Sequence, residues 1–329
     1  LLPPPIKGVR RMANVERSKS GQSIQSTEEL SKQAKRRKRN QELVGYAFIS
    51  PWLIGFFGFI IGPMIASLYF SFTDYDMLSS PNWVGLANYT EMFTNDPRFR
   101  TSIYVTLVFV LVSTPLKLIF ALFIAMLFNN QQKGSGFYTT IFYIPSIIGG
   151  SVAVAVMWRQ LFGGQGAIND ILLFLGIEGR NWIASPDHAL GVLVLLVIWQ
   201  FGSPMIIFLA GLRQIPKDLY EAVSVDGAGP IRKFFSITFP MLTPVIFFNL
   251  IMQMIGGFLV FTQAFVTTEG GPLDRTLFYA LYLYERAFQN YQMGYASAMA
   301  WVLLIVIAII TALLFYSSKK WVYYESDKG

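Results

Sequence analysis

The chain has no cysteine and a single histidine among its 329 residues. Disulfides, thiolate metal sites and a cysteine nucleophile are therefore excluded together, and the redox compartment leaves no mark on the sequence. One imidazole also argues against a histidine-based metal site. Charge is scarce as well: charged residues make up 14% and hydrophobic ones 53%, with a mean hydropathy of +0.47. That balance is too apolar for an ordinary soluble domain and points to a membrane protein. No Gly-x-x-x-x-Gly-Lys phosphate loop occurs, so any ATP chemistry is expected on another chain.

What the sequence does have is a set of long apolar stretches. About 20 apolar residues are needed for a helix to cross a bilayer, and six stretches qualify, at about 46–73, 102–128, 137–158, 189–212, 240–266 and 296–318. The expected fold class is an all-α integral membrane protein of six transmembrane helices. Several stretches carry breakers, at Pro115, Pro145, Gly149 and Gly150, Pro204, Pro244, and Gly256 and Gly257. Bundled membrane helices tolerate these where neighbours re-satisfy the freed backbone groups, often beside a cavity.

The formal net charge of +7 would suggest nucleic acid if it lay on a folded surface, but the basic residues collect in a tail and in particular loops. Lys35, Arg36, Arg37, Lys38 and Arg39 precede the first stretch. Placing them inside also places Lys133, Arg213, Lys217, Arg232, Lys233, Lys319 and Lys320 inside, as the positive-inside rule requires. The opposite loops hold Arg98, Arg100, Arg159, Arg180, Arg275 and Arg286, offset by ten acidic residues from Asp74 to Glu285. The expected arrangement is a basic, unstructured tail over 1–45, a membrane domain over 46–320 and a short tail over 321–329, with both termini cytoplasmic. The apolar run starts too late and is too long for a cleavable signal peptide. Met12 offers a start position, which would leave Leu1–Arg11 upstream of it.

Between the fourth and fifth stretches, residues 213–239 form a loop with its own structural logic. Pro216 suits the first turn of a short helix running through Glu221 to Ser224. Asp226, Gly227 and Gly229 then make a turn, and Pro230 opens a second short helix. Two short helices at an angle make a rigid projection able to enter a groove on a partner.

These residues resemble the EAA loop of binding-protein-dependent ABC importers. The pattern stands here as Glu221, Ala222, Val223, then Asp226, Gly227, Ala228, and later Phe234, Ile237 and Pro240, with Val223 in place of the second alanine. The likeness extends over about 51–320 to the first permease subunit of the maltose-type carbohydrate uptake family. It is carried by PWLIGF at 51–56, SFTDYD at 71–76, VGLANY at 84–89, AGLRQIP at 210–216, TTEGGP at 267–272 and YASAMA at 295–300. The resemblance implies a type I importer permease fold in a bacterial plasma membrane, without an ATPase site or cofactor of its own. It implies a second homologous permease, two ATPase subunits carrying ATP and Mg, and an extracytoplasmic solute-binding protein as partners. It also implies that Glu221, Ala222, Asp226, Gly227 and Ala228 couple the permease to the ATPase. Glu221 and Asp226 are expected to order the loop by accepting hydrogen bonds from backbone N–H groups or from a basic partner.

Sugar recognition calls for aromatic faces and amide or hydroxyl groups converging on a cavity. Asn249, Gln253 and Gly257 recur at helical spacing, giving one open or polar face that suits a substrate path or a neighbouring helix. Phe261 and Gln263 follow, in a segment where the resemblance implies ligand contacts. Lys117 lies near the middle of the second stretch, where a charge is costly. It either snorkels or pairs structurally, or faces the path and balances an anionic, uronate-bearing oligosaccharide. Trp158 and Trp199 are expected as interface anchors. A polyol or glycerol phosphate is the alternative cargo within the same importer class. An ion-coupled secondary transporter is the more distant alternative, because the stretches lack the carboxylates of an ion relay.

Overall fold

The computed structural model describes residues 41–129 and 135–323. Most of the expected tails (1–40 and 324–329) and the loop with Lys133 lie outside these described residues. The fold is all-helical: among the described residues the only strand-like pairing is one isolated bridge between Thr73 and Trp83. The chain divides into two compact units, Leu1–Ala66 and Ser67–Gly329.

The first unit holds most of α1 (Gln41–Phe70), whose spanning window buries none of its residues. Residues 41–45, expected in the tail, are its first turn. A π-turn at Phe56–Ile61 interrupts its regular winding, and Trp52 stacks on Phe56 at 5.1 Å between ring centroids.

In the second unit the short α2 (Ala87–Thr94) leads to α3 (Pro97–Asn129), 33 residues long and the helix around which the unit is organised. At 1.5 Å per residue it exceeds the ~30 Å hydrocarbon core. Two helix pairs follow: α4 (Ser135–Ile148) with α5 (Val152–Leu161), and α7 (Ala189–Trp199) with α8 (Gly202–Gln214). Between the pairs lies α6 (Ala167–Phe174). Next come α9 (Lys217–Val225), α10 (Pro230–Phe258) and α11 (Thr262–Thr267). The chain continues through α12 (Tyr279–Tyr284), extended by a π-turn over Glu285–Gln289, and closes with α13 (Met293–Trp321).

Among the described residues four helices, α1, α3, α10 and α13, are long and apolar enough to cross a membrane unbroken. The expected total of six is reached by counting α4 with α5, bent by 96°, and α7 with α8, bent by 44°, as one span each. The third stretch is thus an elbow at Gly149 and Gly150, not a continuous helix. The fifth also differs from its expected bounds. Pro230 opens the long α10 itself, and the helix ends at Phe258, with α11 as a separate turn.

α3 packs against α7, α8, α10 and α12. Lipid tails are as apolar as leucine, so the packing of such helices rests on close van der Waals fit and satisfied polar groups. Fit is visible at Gly211, where an added Cβ would lie 2.8 Å from Val245. Trp158, expected at the interface, is a core residue. It is buried, its indole N–H donates to the Val192 carbonyl at 3.2 Å, and its ring packs on Trp199 at 5.6 Å.

The polar tie is Asp96. It precedes Pro97 as the N-cap of α3, and its Oδ1 accepts from the Phe99 N–H at 3.0 Å. Its Oδ2 accepts from the hydroxyls of Tyr282 at 2.5 Å and Tyr295 at 2.6 Å, and from the Arg286 guanidinium at 2.8 Å. One buried carboxylate therefore joins the start of α3 to α12 and to the start of α13. Beside it Arg98 pairs with Asp274 at 3.0 Å and with Glu285 at 2.9 Å.

Burial alone would raise the Asp96 carboxyl. The hydrogen bonds from Tyr282, Tyr295 and the Phe99 N–H, with the charge of Arg286, nevertheless hold it below the usual carboxylate range. Because the folded value is depressed, its contribution to stability is fully present above the unfolded value of about 3.9 and is lost as pH falls through the folded value. Melting temperature measured from pH 6 to pH 3 should therefore drop more steeply in the wild type than in Asp96→Asn. Identical acid limbs would contradict this role. At pH 7, Asp96→Ala should cost on the order of 3 kcal/mol, because it leaves the Tyr282 and Tyr295 hydroxyls and the partly buried Arg286 without the carboxylate they share.

Candidate functional site

The two helix breaks meet. The Ser146 hydroxyl donates to the Gln200 carbonyl at 3.0 Å and accepts from the Ser203 N–H at 2.9 Å. In return, the Gln200 side-chain amide donates to the Gly149 carbonyl at 3.0 Å. Each break frees backbone groups that lipid cannot satisfy, and here each supplies partners for the other. Gly149 is required by proximity, because a Cβ there would collide with the Gln200 side chain. The sequence signal for this contact is one glutamine inside the run LLVIWQFG, which hydropathy alone passes over.

At the end of the unit that carries the 217–239 segment, the expected short helix is α9. It closes on a complete Schellman motif: the Gly227 N–H donates to the Ser224 carbonyl at 3.0 Å and the Ala228 N–H to the Val223 carbonyl at 3.2 Å. Gly227 stands at φ +72°, a left-handed conformation that a side chain resists. The motif thereby gives a physical reason for the order Asp-Gly-Ala: helix cap, left-handed glycine, then a small residue that turns inward, since Ala228 is buried. A hydrogen bond of 2.9 Å between the Tyr220 and Thr238 hydroxyls ties α9 to the base of α10. Glu221, Ala222 and Asp226 are exposed. Neither carboxylate has a hydrogen-bond or ion-pair partner among the described residues, so the expected ordering of the loop through backbone N–H groups is not seen there. Val225 (89% exposed), Ile231 (75%) and Phe235 (65%) form an apolar surface around the same turn.

The residues singled out for a substrate path do not form one group. Gly257 lies buried against α3, where an added Cβ would be 3.0 Å from Val110. Asn249 is fully buried on α10, and neither its amide nitrogen nor its oxygen has a partner among the described residues. Lys117 is buried on α3, only 8% exposed and likewise without a hydrogen-bond or ion-pair partner among the described residues. Lys117, Asn249 and Gly257 thus belong to helices that pack together, while Gln253 is partly buried. Phe261 belongs elsewhere: it stacks on Phe265 at 5.2 Å and meets Tyr284 at 5.1 Å. Gln263, on α11, is partly buried.

Residues 84–322 match the family described as binding-protein-dependent transport system inner membrane component. The probable ABC transporter permease protein YesP of Bacillus subtilis (strain 168) is 56% identical over 293 residues, which cover 88% of this chain and 95% of that protein. The arabinooligosaccharides transport system permease protein AraP of the same organism is 33% identical, covering 81% and 85%. A chain from the crystal structure of a bacterial ABC transporter involved in import of the acidic polysaccharide alginate superposes with a TM-score of 0.73. It is 22% identical, with 86% of this chain and 98% of that chain covered, a likeness of fold.

Lys117 gives a direct test of the packing. Replacing a largely buried side chain whose ammonium has no partner among the described residues by an apolar one of similar length lowers its desolvation cost, so Lys117→Met should stabilise the reconstituted protein. A loss of stability in thermal or denaturant unfolding would mean that the ammonium makes interactions the fold depends on.

Proposed function

Because the chain belongs to the binding-protein-dependent transport inner membrane components, we propose that it is the membrane-spanning permease of an ATP-binding-cassette importer for a sugar or oligosaccharide. The observation that carries this reading is the capped, rigid α9 turn, with exposed Glu221 and Asp226 beside exposed apolar residues. A projection of that kind suits docking into a groove on an ATPase subunit. In this reading ATP and Mg are bound by a pair of separate ATPase subunits, a second permease completes the path, and an extracytoplasmic binding protein delivers the cargo. Both termini and the α9 turn face the cytoplasm, so the Asp96 end faces outward, in keeping with the distribution of lysine and arginine.

Alternating access follows from these parts. Closure of the ATPase pair displaces α9, and the Schellman cap and the Tyr220–Thr238 bond pass that displacement to α10 without slack. α10 packs on α3 at Gly257, and the interlocked breaks allow the half-helices to re-aim while their backbone groups remain paired. Lys117 and Asn249 are polar groups on that moving interface. A uronate-bearing oligosaccharide is the finer reading of the cargo, supported by the buried positive charge of Lys117. A polyol or glycerol phosphate suits the same framework.

Glu221→Lys and Gly227→Pro should each abolish ATP-driven uptake while membrane insertion stays normal. Complete loss of a 1–3 kcal/mol linkage corresponds to about a 5- to 150-fold change. Normal uptake rates in both variants would remove the coupling role from α9.

A further inference from the structure

At the Asp96 end the structure holds a cleft of about 530 Å³ lined by Arg159, Phe265, Val266, Glu269, Leu281, Glu285 and Gln289. Its size falls in the range of small-molecule sites. One wall is aromatic. Phe265 is the lining member of a four-ring stack in which Phe261 lies parallel to it at 5.2 Å, Tyr284 meets it edge-on at 5.4 Å, and Phe288 packs on Tyr284 at 5.2 Å. The stack fixes the Phe265 ring, so a ligand presses on a surface that is already ordered.

The charged groups around the cleft are paired with one another. Arg159 reaches from the end of α5 to Glu269 at 3.3 Å and donates to the Val266 carbonyl at 3.3 Å, closing one side of the cleft. Glu285 is held by Arg98, which Asp274 holds in turn. Every charge lining the cleft is thereby paired, and this frame contains one carboxylate more than guanidinium groups. Gln289, exposed and without a hydrogen-bond partner among the described residues, offers both an amide donor and an acceptor.

An aromatic ring, an amide and paired carboxylates in one cleft match the C–H groups and hydroxyl edge of a sugar ring. The excess of carboxylate disfavours an anion. We propose that this cleft is a binding subsite for one uncharged sugar ring, engaged at the outer mouth before the ring passes between the helices. The inference rests on the importer reading for its orientation. It adds a site separate from Lys117, so that an oligosaccharide carrying both ring types would present a neutral ring here and a uronate further in.

The test uses the full-length chain with its partner permease in lipid nanodiscs, titrated with methyl glycosides of glucose, galactose, xylose and arabinose and with glucuronate and galacturonate. Binding is read by saturation-transfer NMR. At least one neutral glycoside should bind saturably and at least about tenfold more tightly than the uronates, a difference of about 1.4 kcal/mol. Gln289→Trp, at an exposed position, should fill the cleft and abolish that binding with an unchanged melting temperature. Phe265→Ala should weaken binding by about tenfold and Phe265→Tyr should restore it, separating the ring face from a folding defect. No saturable binding of any neutral glycoside, tighter binding of uronates, or binding untouched by Gln289→Trp would overturn the subsite. Energised cells that still import a sugar while the subsite fails would leave the importer reading intact. Cells that import none would remove the importer reading, and the subsite falls with it only where no neutral glycoside binds.

Discussion

The described membrane helices answer to one constraint: a backbone N–H or carbonyl surrounded by lipid has to find its partner within the protein. Continuous helices satisfy it at once, and α1, α3, α10 and α13 are the direct result. Where the chain bends, at Gly149 and at Gln200, the constraint is met by bringing the two bends together, so that Ser146 and Gln200 each serve the other's broken turn. Breaks joined in this way keep their freed backbone groups paired where lipid could not satisfy them.

The same logic places the charges. Asp96 caps α3 and gathers two tyrosines and Arg286 from α12 and α13, while Arg98 binds two further carboxylates beside it. At the opposite end α9 is fixed by a helix cap and one hydroxyl pair, and its acidic side chains are exposed at the surface. One end is cross-linked by ion pairs and the other presents a stiff projection. α3 runs between them and packs against α7, α8, α10 and α12.

Much of this was legible in the residues. Apolar length gave the number of spans once bent pairs count as one. The Asp-Gly-Ala order carries its turn chemistry openly, because only glycine takes up φ +72° at so little cost. Hydropathy could not separate the α4–α5 elbow from a straight helix, since both halves are apolar and the bend depends on a glutamine about 50 residues away. The α10 boundary was missed for a related reason: Arg232 and Lys233 read as loop residues, yet the helix carries them at its exposed base. Trp158 looked like an interface anchor from its place near a span end, but its partners, Val192 and Trp199, come from another stretch. The Asp96 tie joins residues up to 199 positions apart, of which only the Asp-Pro helix start shows in the local sequence.

The account turns on ATP-driven passage of a sugar, and uptake measures that most directly. Cells with and without this gene would be given labelled neutral and uronate-bearing oligosaccharides, with an ATP-depleted control that preserves the ion gradients. The expected result is loss of uptake for one class of sugar in the deletion strain, matched by its loss on ATP depletion in the parent. Unchanged uptake of every sugar in the deletion strain, or gene-dependent uptake that persists without ATP, would contradict the account.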